Sequence, residues 1–239
     1  MTGDGGRLAD RVWPDVPARP LLLVPVGSTE QHGPHLPLDT DTVIAVAVAD
    51  AAAAALGVGS AEDVVVAPAV GYGSSGEHQA FAGTVSIGTD VLRLLVVELV
   101  RSVAAWAGRV VLVNGHGGNV EALASAVAQL VEEGHDVDWV PCATEDVDLH
   151  AGRTETSLML HLRPGSVDLS RAEAGCTRPL GELLPSLRAG GVAAVSPNGV
   201  LGDPAGASAA EGGRVLAAMA RTLVLRAHRP DLAHAGPTG

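Results

Sequence analysis

With 239 residues, 47% of them apolar, the chain is long enough to bury one sizeable core without cross-links. Its net charge is −12 and all 15 basic residues are Arg, which excludes a phosphate-neutralising basic stripe, Schiff-base lysine chemistry and the lysine of a P-loop. Aromatic residues make up only 2% of the chain, too few for a base-stacking surface, so nucleic acid is not an expected partner.

In chain order, Met1–Asp10 is Gly-rich and polar with no apolar leader region, and residues 1–20 read as a flexible N-terminal segment. Leu21–Val26 is a candidate buried strand, followed by a polar loop from Gly27 to Thr40 and an Ala/Val-rich helix over Thr42–Leu56. Val64–Ala67 repeats the strand signal before a long loop through Gly71–Gly83 and an amphipathic helix over Asp90–Ala107. Arg109–Val113 is a third strand, opening into Asn114–Asn119 and a helix through Val131; Val137–Pro141 is a fourth strand. From Arg163 to Gly206 the chain is rich in Gly, Pro and Ser, and Gly190–Leu201 suggests a hairpin or a lid that selects peptides. Ala209–Ala227 closes the chain as a helix. The alternation predicts an α/β fold, a mainly parallel sheet covered by helices on both faces, with function at the carboxyl ends of the strands. One domain is expected over residues 21–229, with 230–239 a loose C-terminal tail. No run approaches membrane length, and Cys142 and Cys176 form no CxxC pair, so the expected setting is cytoplasmic, with no membrane partner.

Chemistry-bearing residues gather in those loops. Glu30 and His32, two apart in extended chain, point the same way, as two ligands of one site must. Asp41 opens the following helix, where its carboxylate can bridge two cations; the alternative is that Asp39 or Asp41 merely caps that helix. His116 in the Asn114–Asn119 loop strengthens the metal reading, although such a loop can also nest an anion. Glu155 either closes the metal set or is a first-turn helix carboxylate, and His150 is a candidate proton donor. Glu77 and His78, with Ser74 and Ser75, form a candidate substrate wall and supply further catalytic candidates; Glu77 reads equally as a solvated loop charge. Mixed Glu, His and Asp ligands suit zinc, manganese or iron rather than calcium. His135, His161, His228 and His234 have no partners in these loops.

Val24–Leu38 with Thr40-Asp41, then Val113–Asn119, then His150-Ala151-Gly152 with Glu155-Thr156-Ser157, resemble the ordered blocks of the creatininase family. The resemblance covers the chain from about Leu21 to the last helix. It implies the three-layer α/β/α sandwich of that family, a dinuclear centre on Glu30, His32, Asp41 and His116 with Asp41 bridging, and Glu155 as the best remaining carboxylate. The implied cofactors are two divalent metal ions, Fe2+ and/or Zn2+, with Mn2+ admitted. The implied assembly is a homo-oligomer, a hexamer or octamer.

Creatinine itself is not the implied substrate. The creatinine-specific members carry a Glu where this chain has Gly118, and a Trp-bearing loop where Cys142–Leu149 has no aromatic residue. Ser75–Gln79 with Phe81–Thr84, Leu184–Ser196 and Gly199–Pro204 resemble instead a branch of peptidases that act on a modified ribosomal precursor peptide. The implied reaction is hydrolysis of a C–N amide bond, releasing a cross-linked C-terminal Val-Tyr unit. Two other readings remain: an amidohydrolase of small cyclic amides or formamides, and a metal-stabilised binding protein without turnover.

Overall fold

A computed structural model describes residues 6–57, 63–144 and 148–227. The expected tail 230–239, together with His228 and His234, lies outside the described residues. Four strands, β1 (Leu21–Val26), β2 (Val64–Val66), β3 (Arg109–Asn114) and β4 (Val137–Pro141), form one sheet in the order β2-β1-β3-β4, with every pairing parallel. Parallel strands need crossover connections, and here helices supply them.

Side-chain alternation along the strands builds two cores. Leu22, Val24 and Val26 face one way and pack with α2 (Thr89–Val103) and α3 (Val120–Glu132). Leu21 and Leu23 face the other way, against α1 (Thr40–Leu56), α4 (Arg153–Leu162) and α6 (Ala209–Ala227). Both sheet faces are therefore covered, which is why β1 and β3 are fully buried runs with no polar alternation. The result is the expected α/β/α sandwich, with helix and strand positions close to those read from periodicity.

The Gly/Pro/Ser-rich region departs from expectation. It contains α5 (Leu180–Gly190), a helix with Pro185 inside it, so the Pro signal concealed a helix that periodicity alone did not expose. Gly190–Leu201 is not a hairpin: after α5 it makes a short 3-10 turn, Val192–Ala194, and Val192, Val200 and Leu201 are buried. Leu201 instead exchanges both backbone hydrogen bonds with His150.

Strand order places the site. β1 connects to β2 on one side, whereas the chain from β2 crosses over β1 to reach β3 and continues outward to β4. The crevice between the carboxyl ends of β1 and β3 is thus the topological switch point, where open α/β sheets bind ligands.

Candidate metal centre

The loop after β1 carries Glu30 and His32, the first turn of α1 carries Asp41, and the loop after β3 carries His116; all four are buried. Asp41 is not a helix cap, and Asp39, at the cap position, makes no capping bond; it pairs with Arg163 at 2.7 Å. From the other side, Glu155 projects from the first turn of α4 and His150 from the segment before it. Ala151, in left-handed backbone at φ 52°, turns the chain between them, and its N–H donates to Glu155 Oε2 at 2.6 Å.

These side chains converge. His116 Nδ1 lies 3.1 Å from Glu30 Oε1 and 3.5 Å from Asp41 Oδ2, and His32 Nε2 lies 2.9 Å from Asp41 Oδ1 and 3.9 Å from Glu155 Oε2. Asp41 therefore turns one oxygen to each histidine. His32 Nδ1 faces the backbone carbonyl of Glu30 at 3.1 Å, and His116 Nε2 faces that of Ser74 at 3.1 Å. Each of those nitrogens is placed to donate, which leaves His32 Nε2 and His116 Nδ1 as the inward, ligand-capable atoms. Three groups have ligand spacing: Glu30, Asp41 and His116; His32, His150 and Glu155; and Glu30, His78 and His150.

Both carboxylate oxygens of Glu30 and Oδ2 of Asp41 are buried without a hydrogen-bond partner. An uncompensated buried carboxylate costs several kcal/mol, so the cluster fits a cation better than it fits an all-protein network. Glu, Asp and His in this mixture suit zinc, manganese or iron.

The protein's own charges perturb the same groups. Burial alone would depress His32, but Asp41 outweighs it and holds the imidazole at about 10. His116 is likewise raised against its burial, chiefly by Glu30, and Glu30 is held well below the usual carboxylate range by His116. Burial and the neighbouring Glu30 raise Asp41, and burial pushes Glu155 up to about 7. His150 goes the other way: burial, then the neighbouring His32 and His78, keep it neutral. Its ring centroid is 4.4 Å from each of those two rings.

His78, expected in a substrate wall, is buried in the cluster, with Nε2 at 3.3 Å from Glu30 Oε1. Glu77 lies at the rim, its Oε1 3.5 Å from His116 Nε2. Gly118 makes room for it: a Cβ there would collide with the Ser74 carbonyl and lie 2.5 Å from both Glu77 Oε1 and His116 Nε2. Ser74 and Ser75 are buried supports; Ser75 meets Ser28 Oγ and lies 3.4 Å from His116 Nε2. Cys142 and Cys176 are free thiols in separate places. Asn119, which sequence reasoning left without a role, ties the loops together by donating to the Gly27 carbonyl and accepting from Ser74 N–H.

A cavity of about 430 Å³ opens over this cluster, with Asp41, His78, His116, His150 and Glu155 at its floor and Glu77 at its rim. Its wall is apolar, drawn from Leu180, Leu184 and Leu187 of α5 with Val192 and Leu201, and includes one cation, Arg188. Sequence reading linked Leu184–Ser196 to a peptidase branch but did not place it in a helix that walls the cavity.

Among known proteins, the family model described as creatinine amidohydrolase, named Creatininase, matches residues 9–226. The mycofactocin precursor peptide peptidase of Mycolicibacterium smegmatis is 59% identical over 200 residues, covering 84% of this chain and 81% of that protein. Among solved structures, the manganese form "Creatininase Mn" aligns with a TM-score of 0.75 at 27% identity, covering 93% of this chain and 97% of that one. A mutant creatininase of Zn-Zn type aligns with a TM-score of 0.74 at 26% identity, covering 93% of this chain and 96% of that one.

Proposed function

Because this chain belongs to the creatininase family, we propose that it is a metal-dependent peptidase that hydrolyses an amide bond of the mycofactocin precursor peptide, releasing its cross-linked C-terminal Val-Tyr unit. The observation that carries the chemistry is the buried cluster in which both carboxylate oxygens of Glu30 and Oδ2 of Asp41 lack a hydrogen-bond partner. The relationship to the Mycolicibacterium smegmatis peptidase carries the substrate class.

In this reading Glu30, Asp41 and His116 hold one divalent ion, and His32, Asp41 and Glu155 hold a second, with Asp41 shared. The candidate ions are Fe2+, Zn2+ and Mn2+. Bound there, such ions supply Lewis acidity, acidifying water and polarising an amide carbonyl. His150 supplies the proton that the departing amine needs, since amine expulsion requires one. Glu77, from the cavity rim, and Ser74 hold His116 through its Nε2, and His78 Nε2 lies 3.3 Å from Glu30 Oε1.

The apolar wall and the size of the cavity suit a peptide with bulky apolar side chains better than a small ring or formamide. The acidic, Lys-free chain acts in the cytoplasm as a homo-oligomer, a hexamer or octamer, an assembly that light scattering tests.

The decisive experiment chelates the purified protein, reconstitutes it with iron, zinc or manganese, and follows the modified precursor peptide by mass spectrometry. Loss of the C-terminal cross-linked dipeptide in loaded samples alone supports the proposal. Stoichiometric metal with an intact peptide, and turnover of small cyclic amides instead, overturns the substrate assignment.

A further inference from the structure

One face of α5 walls the cavity over the cluster. Leu180, Leu184, Leu187 and Arg188 recur at i, i+4, i+7 and i+8, which places them on one side of a helix, and all four line the cavity. Anchoring falls to Leu183, which is fully buried and packs with Val192 and Leu201. Leu180 and Leu184 stay 44% and 37% exposed, apolar surface held open at a site instead of folded into a core. At its Gly190 end the helix abuts the cluster. Gly191, in left-handed backbone at φ 68°, comes so close to the Glu77 carbonyl that a Cβ would lie 2.5 Å from its oxygen.

Among the residues that line the cavity Arg188 is the only Arg, and the sequence has no Lys. It is exposed. Among the described residues no carboxylate pairs with it, whereas Arg153, Arg163 and Arg171 each hold one. Glu77, the carboxylate at the rim, faces His116 Nε2 at 3.5 Å instead. The donors of a planar guanidinium therefore open onto an otherwise apolar wall, one helical turn, about 6 Å, beyond Leu184. A neutral acceptor suits this place better than an anion. The chain's net charge of −12 repels an anionic group at long range, while a hydroxyl on an apolar ring meets no such repulsion and needs a hydrogen-bond partner once buried.

Resting on the peptidase reading, whose released unit carries a tyrosine ring, we propose that Arg188 is a specificity-determining residue that donates a hydrogen bond to the phenolic oxygen of that ring. Leu180, Leu184 and Leu187 cover the ring, and the hydroxyl at its tip meets the guanidinium. Tyrosine combines an apolar body with a polar tip, and this wall offers a surface for each. Without Arg188 the same leucines would accept phenylalanine as readily as tyrosine. With it, a ring that lacks the hydroxyl covers the guanidinium and leaves its donors without a partner. The contact does not touch the reacting atoms, so its effect falls on binding of the unit and not on bond breaking.

The test uses the zinc-loaded full chain, with the wild type compared with Arg188→Met, which keeps an unbranched stem and removes the donors. Three synthetic probes are titrated by calorimetry: Val-Tyr amide, Val-Phe amide, and Val-Phe with a free carboxylate. The wild type is expected to bind Val-Tyr amide about tenfold more tightly than Val-Phe amide, and Arg188→Met to bind the two alike. With the modified precursor peptide, Arg188→Met is expected to raise KM about tenfold while kcat changes little. A wild type without preference for the phenol overturns the proposal, as does a variant that keeps the preference. A loss confined to the Val-Phe acid also overturns it and assigns Arg188 to a terminal carboxylate. Binding is read without turnover, so the two readings fail separately. Arg188-dependent binding of Val-Tyr amide with no peptide cleavage removes the peptidase reading and leaves this contact, whereas cleavage with an unaltered probe preference removes this contact alone.

Discussion

Asp41 is the residue on which the two halves of the centre depend. Its two oxygens face His32 and His116 separately, and Oδ2 has no protein hydrogen bond. Asp41→Ala is expected to abolish metal binding at both positions and to cut turnover roughly 10³-fold, equivalent to about 4 kcal/mol; metal analysis alongside peptide cleavage checks both. The histidines also predict a pH signature. His32, raised from 6.5 to about 10 by Asp41, is protonated at pH 7 until a cation displaces that proton. Metal addition at pH 7 is therefore expected to release protons, and affinity to weaken as pH falls, by about tenfold per unit for each proton displaced. Calorimetry in buffers of different ionisation enthalpy reads the number. The sign reverses for the chelated protein's own stability: protonated His32 contributes most near 6.5 while Asp41 stays ionised, and that contribution is lost as pH rises through about 10.

At the scale of elements, helices divide between carrying the candidate ligands and walling the cavity. α6 packs on both α1, which carries Asp41, and α4, which carries Glu155, through Met219, Ala220 and the fully buried Leu223. Leu223→Ala is expected to cost 2–5 kcal/mol, within the range for buried Leu truncations, read as a lower urea midpoint with an unchanged slope. α5 carries a different burden. Leu184 is 37% exposed and lines the cavity, so Leu184→Ser should leave stability within about 0.5 kcal/mol. It should raise KM for the precursor peptide about tenfold, while a small generic amide is turned over as before. Equal effects on both substrates would remove α5 from selectivity. The region expected to select peptides, Gly190–Leu201, adds Val192 and Leu201 to the cavity wall and is tied into the core by Val192 and by the Leu201–His150 backbone pair. Its Gly and Ser content read as a hairpin or a lid because burial by distant partners leaves no local pattern.

For the whole molecule, the candidate centre joins the loops after β1 and β3 to α1 and α4, so ions held there would brace segments from Glu30 to Glu155. Chelation is expected to lower the melting temperature by several degrees, and readdition of metal to restore it with a dependence on metal concentration. A melting curve indifferent to chelator would count against a metal bound by the native state. No helix among the described residues is long and apolar enough to cross a membrane.

The amino-acid sequence by itself determined the α/β/α layers, the four strands and the loops that bear Glu30, His32, Asp41, His116, His150 and Glu155. Those features are local: side-chain alternation, helical period and ligand spacing along a few neighbouring residues. Only the tertiary structure decided that His78 is buried beside Glu30, that Gln31 binds His78 and His150, and that α5 walls the cavity. Each of these depends on groups remote in the chain; Gln31 alone reaches partners 47, 119 and 168 residues away. A side chain's tautomer and its exposure are properties of whatever packs around it, and no local pattern in the sequence encodes that packing.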